Sequence, residues 1–138
     1  AMSDRILLDT NVLVRFLVGD DPTLTDDTRR LFEQSDRGER RLVLPPVVLA
    51  ETVFVLESFY KVPRRRIAEI LGRLLLSSGI EAVDGDEQVS ALRLYSERKT
   101  HFVDCLLAAA AERRQLAVAS FDNDLRRFPG VVCVRPGR

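Results

Sequence analysis

The sequence predicts an α/β protein, a three-layer α/β/α sandwich built on a mainly parallel five-stranded sheet. Five short apolar runs of the kind that form buried strands alternate with longer segments of helical periodicity. This alternation is typical of parallel strands joined by helices that cover both faces of the sheet. No internal repeat, low-complexity tract or interdomain linker interrupts the pattern.

The chain of 138 residues, 46% apolar and 30% charged, has the composition of a globular protein. We expect one domain over residues 2–138 and interpret Ala1, which precedes Met2, as the remnant of an expression tag. No apolar run approaches the ~20 residues that cross a bilayer, and no signal peptide opens the chain. Cys105 and Cys133 lack metal-ligand spacing and are expected to be free thiols, which fits a cytoplasmic protein without membrane association.

The first strand is predicted at residues 6–8, three apolar residues in a row that are typical of a strand buried on both faces. Asp9 ends this run, and residues 12–18 continue as an apolar helix. Pro22 separates that helix from a second one at residues 24–34, which has its apolar residues on one face.

The second strand is predicted at residues 41–44. Pro46 can occupy the first turn of the following helix, which extends over residues 47–60 and is apolar on nearly every side. We expect such a helix to be mostly covered by the rest of the protein. Pro63 then breaks the chain before an amphipathic helix at residues 64–76.

The last part of the chain contains three further strands, which are predicted at residues 80–83, 116–119 and 131–134. A helix at residues 87–98 follows the first of them. A second helix, at residues 102–114, is rich in small residues.

Four carboxylates stand at positions where a purely structural protein tends to avoid charge. Asp9 ends the first strand, Glu51 lies in the apolar helix, Asp104 falls in the first turn of the alanine-rich helix and Asp122 follows the fourth strand. Each of these carboxylates can also be explained by a purely structural role. The aspartates are common helix caps or turn residues, and Glu51 is an acceptable anion near a helix start.

A shared site explains all four carboxylates together. If the first and fourth strands are neighbours, the strand order reverses between them, and Asp9 and Asp122 face one crevice. Glu51 and Asp104 lie near the starts of helices beside such strands. Four clustered carboxylates require a counter-charge, which a hard divalent cation with oxygen ligands supplies. Such an ion activates water and stabilises a leaving oxygen, which favours phosphodiester hydrolysis.

Asp124 is an alternative to Asp122 as the fourth acid. We expect Asp122 to point into the crevice, because it lies directly at the carboxyl edge of the fourth strand. Asp124 lies two residues farther on, in a segment whose Leu125 and Phe128 should face the core. Asp124 is therefore expected to cap this segment instead.

The same residues make the chain similar to the PIN-domain ribonucleases, and specifically to the VapC-type toxins of bacterial toxin–antitoxin pairs. The resemblance extends from Ile6 to Val134. It rests on four motifs in the family's order and spacing: Leu8-Asp9-Thr10-Asn11-Val12-Leu13, Val48-Leu49-Ala50-Glu51-Thr52-Val53, Phe102-Val103-Asp104-Cys105-Leu106-Leu107-Ala108 and Ser120-Phe121-Asp122-Asn123-Asp124-Leu125.

The resemblance implies an endoribonuclease that depends on Mg²⁺ or Mn²⁺ and cleaves RNA with an exposed single-stranded segment. It assigns the catalytic and metal-binding roles to Asp9, Glu51, Asp104 and Asp122, and it gives Ser120 a role in orienting water. It also implies a homodimer and a cognate antitoxin that blocks the site. Amphipathic helices after the first two strands are suitable for a groove that holds a partner helix, although their apolar faces are equally suitable for a core.

Three other assignments remain to be compared: one is a binding module without catalysis, and two are phosphoryl-transfer folds. A catalytically inert PIN-like module that binds RNA or protein would have no need for four buried acids. Haloacid-dehalogenase-like phosphatases require an aspartate where Asn11 stands, and receiver domains require a lysine that neither Lys61 nor Lys99 supplies.

Arginine dominates the basic residues of this chain. Basic and acidic residues balance at 21 each, and all basic residues except Lys61 and Lys99 are arginines. A GC-rich genome explains this bias as well as RNA binding does. His101, Arg15, Lys99 and the cluster at residues 64–66 are candidate RNA contacts, with a solvated surface as the alternative.

Overall fold

The computed structural model describes residues 4–137, and the N-terminal Ala1 interpreted as a tag remnant lies outside this range. The elements follow the predicted order, with a short 3₁₀ helix between the last two strands. They are β1 (Arg5–Leu7), α1 (Thr10–Val18), α2 (Pro22–Asp36), β2 (Arg41–Leu44), α3 (Pro46–Ser58), α4 (Arg64–Leu75), β3 (Ile80–Ala82), α5 (Gly85–Glu97), α6 (Phe102–Arg114), β4 (Val118–Ala119), the 3₁₀ helix (Asp124–Arg127) and β5 (Cys133–Val134).

All paired strands are parallel, as the alternation of strands and helices predicts. In one sheet β2 lies between β1 and β3, so that Leu42 is in register with both Ile6 and Ile80. In the other sheet β4 pairs with β5 alone, with Ala119 opposite Val134. The carboxyl ends of the strands in each pair therefore lie at the same edge.

The five predicted strands are present and parallel, but they form two sheets and not one, and the condition that the first and fourth strands are neighbours is not met in the hydrogen-bonded ladders of the described chain. Within residues 4–137, β1 forms its ladder only with β2, and β4 forms its ladder only with β5. β4 has only two residues, and its hydrogen bonds go to β5, from Val118 N–H to Val132 C=O and from Ser120 N–H to Val134 C=O.

Helices supply most of the core. One fully buried leucine on each of three helices marks the centre of their packing: Leu13 of α1, Leu49 of α3 and Leu71 of α4. The expectation that α3 is mostly covered by the rest of the protein is only partly correct. Its inner face is buried, but Val47 and Phe54 are exposed on the outer face.

The end of α1 shows how local sequence sets a boundary. Gly19 adopts φ = 68°, a left-handed conformation that glycine tolerates best, and donates its N–H to the carbonyl of Arg15. Asp21 then caps α2 by accepting the N–H of Leu24 at 3.1 Å. Across residues 4–137, the helices are all too short or too polar to cross a membrane.

Candidate active site

The four candidate acids lie on segments that contact one another in series. Asp9 is the N-cap of α1, Glu51 lies in the second turn of α3, Asp104 lies in the first turn of α6, and Asp122 precedes the 3₁₀ helix. α1 packs on α3, α3 packs on α6, and α6 packs on the 3₁₀ helix. The fold thus places the acids along one continuous row of elements.

Asp104 and Asp122 are brought together, and Asp124 joins them. Burial raises the pKa of Asp104, and the charges of Asp122 and then Asp124 raise it further. His101 opposes this effect as a nearby positive charge. A carboxylate that two other carboxylates repel is the pattern expected of a cation site.

The turn that holds Asp122 is formed by two hydrogen bonds from the backbone. The N–H of Asp122 donates to Ser120 Oγ at 2.9 Å, and the N–H of Asp124 donates to Asp122 Oδ1 at 3.0 Å. Asp122, and not Asp124, is therefore the side chain that caps this segment, and the predicted capping role of Asp124 is wrong. Asp122 lies one residue before Asn123, the N-cap of the 3₁₀ helix, and an aspartate can reach the N–H two residues ahead.

Asp9 and Glu51 are exposed and have no hydrogen bond or ion pair to Asp104 in the described chain. Asp9 Oδ1 accepts the N–H of its neighbour Thr10 at 2.8 Å, which makes Asp9 a cap of α1 as well as a candidate ligand. Over residues 4–137, no three His, Cys, Asp or Glu side chains converge closely enough to hold a metal ion. The four predicted acids therefore stay candidates: Asp104 is coupled electrostatically to Asp122 and Asp124, but within residues 4–137 no three such side chains lie within reach of one ion.

The donor set itself fits a divalent cation. The three aspartates supply only oxygen ligands, which hard cations such as Mg²⁺ and Mn²⁺ prefer. Their mutual repulsion, seen in the raised pKa of Asp104, is the unfavourable term that a cation would remove.

A cleft of about 350 Å³ opens beside Asp104, between α3 and the start of α6. Phe54 of α3 and Val103 of α6 form exposed apolar walls, and His101 and Asp104 supply the polar ones. Glu57 also lines this cleft. The sequence contained no signal for the cleft, because α3 and α6 are far apart in the chain.

Arg64 has a structural role that sequence reasoning did not identify. Its guanidinium donates to the carbonyls of Tyr95, Arg98 and Thr100 at 3.0, 2.7 and 2.6 Å, and it forms an ion pair with Glu57 at 3.1 Å. It also lies 3.8 Å from the centre of the Tyr95 ring. These contacts use the N–H donors of Arg64, so this side chain holds the segment before α6 in place and is not an RNA contact. We call this set of contacts the Arg64 clamp.

Comparisons with known proteins identify the family of this chain. The profile of the PIN domain family matches residues 6–131, which include all four candidate acids. The chain is 32% identical over 131 residues to a VapC ribonuclease of Aquifex aeolicus (strain VF5), and the match covers 94% of this chain and 96% of that protein. The three-layer α/β/α architecture of the PIN fold accords with the parallel strands and covering helices found here. The chain therefore belongs to the PIN-domain family, among its VapC-type members.

Proposed function

We propose that this protein is a metal-dependent endoribonuclease, the toxin of a toxin–antitoxin pair, and that Asp9, Glu51, Asp104 and Asp122 form its active site. The observation that carries the proposal is the cluster around Asp104. Asp122 and Asp124 raise the pKa of its carboxyl group, and the cluster borders a cleft in a chain of the VapC type. No other catalytic pattern competes in the described chain, where both cysteines and the single histidine lack a nucleophile–base arrangement.

Mg²⁺ or Mn²⁺ would be held by Asp104 and Asp122, with Asp9 and Glu51 approaching from α1 and α3. When bound, the cation activates water and stabilises charge on the leaving oxygen of the phosphodiester. The protein itself contributes by positioning the carboxylates that would hold the cation. The first turn of α6 positions Asp104, and the turn around Ser120 fixes one oxygen of Asp122 and leaves the other available.

An RNA strand would bind in the cleft beside Asp104. The exposed rings and apolar side chains of its walls, Phe54 and Val103, suit unpaired bases, whose faces are available for stacking. Val47 of α3 and Leu107 of α6 are exposed apolar side chains outside this cleft, and such side chains are typical of subunit contacts, which supports a homodimer.

The antitoxin would occupy a groove between α1 and α2. This groove has a volume of about 260 Å³ and is lined by Val12 and Leu24 together with Arg15 and Asp27. Apolar anchors beside charged groups suit an amphipathic partner segment. We further infer a cytoplasmic location, which the two free thiols support.

A cleavage assay on protein stripped with a chelator tests the proposal. We expect cleavage of single-stranded RNA only after Mg²⁺ or Mn²⁺ is restored, and Asp104→Asn should lower the rate by at least about a hundredfold. Asp122→Ala and Asp124→Ala identify the fourth acid, since only the ligand should be needed for cleavage. Glu112→Gln, an exposed carboxylate at the far end of α6, is the matched control and should retain the parent rate.

The alternative is an inert PIN-like module that only binds RNA or protein. RNA binding by the parent without cleavage in any metal would favour this alternative. Parent-like cleavage by Asp104→Asn would show instead that Asp104 is only a helix residue and that the site is misplaced.

A further inference from the structure

Phe121 and Arg135 form an exposed aromatic–cation pair beside the acidic cluster. The Phe121 side chain is 68% exposed although it lies next to the well-anchored turn of Asp122. The guanidinium carbon of Arg135 lies over the Phe121 ring, 5.4 Å from its centre. A single exposed ring is common on protein surfaces, and what distinguishes Phe121 is its position under a cation and next to Asp122.

The parallel pairing of β4 with β5 places the two residues together. Ala119 is in register with Val134, and Ser120 N–H donates to the carbonyl of Val134 at 3.0 Å. Phe121 and Arg135 follow these positions directly, so both leave the sheet at its carboxyl edge. This is the edge from which Asp122 approaches Asp104.

Two other arginines in the described chain lie over aromatic rings, and both have structural partners. Arg64 over Tyr95 and Arg98 over Phe128 also donate to backbone carbonyls, and both rings are buried. Arg135 differs from them. It has no hydrogen bond or ion pair to any residue in the range 4–137, and the ring beneath it is open to solvent.

We propose that Phe121 and Arg135 form a nucleotide-binding subsite for single-stranded RNA, in which Phe121 stacks on an unpaired base and Arg135 contacts the adjoining phosphate. The inference rests on the proposed function, since it supplies the ribonuclease with a point of attachment for its substrate next to the acids. A base in a duplex is already stacked and paired, so only a single strand can offer its face to Phe121. The free guanidinium also offsets the repulsion between the RNA backbone and the neighbouring carboxylates.

Fluorescence anisotropy can measure this subsite separately from catalysis. All variants carry Asp104→Asn so that the probe remains intact, and the probes are fluorescein-labelled oligoadenylate and an abasic oligomer with the same number of phosphates. We expect Phe121→Leu to weaken oligoadenylate binding about 5- to 150-fold, the range that loss of one stacked base produces. Phe121→Tyr retains the ring and should bind like the Asp104→Asn background protein.

Phe59→Leu is the matched control, because Phe59 is a comparably exposed phenylalanine at the far end of α3. It should not affect binding, and neither leucine variant should change the melting temperature substantially. On the abasic oligomer, Phe121→Leu should lose no affinity, because there is no base to stack.

Arg135→Gln tests the phosphate contact. The slope of log Kd against log salt concentration should fall by about 0.7 on both oligomers, as expected for the loss of one single-strand phosphate contact. Phe121→Leu should leave this slope unchanged, so the two residues have separate signatures.

Three results would overturn the subsite: equal binding by Phe121→Leu and Phe59→Leu, an equal loss on the abasic oligomer, or an unchanged salt slope in Arg135→Gln. If any of them appears while the protein without substitutions still cleaves RNA, the subsite fails and the proposed function stands. If the expected pattern appears but that protein cleaves nothing in any metal, the subsite stands and the nuclease assignment fails.

Discussion

At the scale of single residues, Asp104 carries an unfavourable charge in the metal-free protein. Burial, Asp122 and Asp124 together raise its pKa in the folded state above the value in the unfolded chain. The folded state therefore holds the proton more tightly than the unfolded state does. Ionised Asp104 destabilises the fold at pH values above its folded pKa. This penalty starts to fall as the pH drops through the folded pKa and is gone below the pKa of the unfolded chain.

Replacement of Asp104 by asparagine should therefore stabilise the metal-free protein at neutral pH. We expect a higher melting temperature for Asp104→Asn, with a difference from the parent that shrinks as the pH is lowered. Thermal melts of both proteins in chelator across the acidic range measure this difference. As a control, Glu112→Gln on the same helix should change the melting temperature less. If the difference in melting temperature between Asp104→Asn and the parent does not vary with pH, repulsion does not explain it.

At the scale of elements, Arg64 of α4 connects the end of α5 to the start of α6. Its guanidinium donates hydrogen bonds to the carbonyls of Tyr95, Arg98 and Thr100, which lie at the end of α5 and in the loop that follows. The loop leads directly into the first turn of α6, where Asp104 lies. The clamp thus sets the position of the acid through the backbone that precedes it.

We expect Arg64→Ala to lower the free energy of unfolding by about 2–4 kcal/mol, because it leaves several half-buried carbonyls and Glu57 without their partner. Arg64→Lys should recover only part of this loss, since a lysine cannot reproduce the planar fork. Urea denaturation of both variants measures the effect. Arg65→Ala, at an exposed neighbour that has no hydrogen bond or ion pair within residues 4–137, should stay within about 0.5 kcal/mol of the parent. Equal losses at the two positions would contradict the role of Arg64.

At the scale of the whole molecule, the two sheets differ in how well they are protected. β2 lies between two hydrogen-bonded strands, and its residues 42–44 are buried. β4 and β5 have two residues each, and Ala119 and Val134 are exposed. Local opening of the smaller sheet breaks few hydrogen bonds and buried contacts. We therefore expect the sheet of β4 and β5 to open more readily than the sheet of β1, β2 and β3.

Hydrogen exchange measures this difference. The N–H of Leu42, which donates to Gly79 at 2.9 Å, should exchange much more slowly than the N–H of Ser120, which donates to Val134 at 3.0 Å. Similar rates at the two amides would indicate that the sheets open together as one cooperative unit.

The elements and the position of each acid along the chain could be predicted from sequence because they depend on local patterns. Apolar runs located the strands, periodicity located the helices, and Asp9 and Asp104 were placed correctly at helix starts. The four family motifs carry enough of this local information to identify the PIN-domain family. The roles of the four candidate acids as metal ligands stay a prediction.

The contacts between distant residues were decided only by the tertiary structure. Periodicity indicates which face of an element is apolar, but it does not specify the neighbouring strand, so the separation of β4 from β1 was not predictable. The meeting of Asp104 with Asp122 and Asp124 likewise depends on how α6 packs on the 3₁₀ helix. Arg64 illustrates the physical reason: its role depends on Thr100, which is 36 residues away in the chain but within hydrogen-bonding distance in the fold.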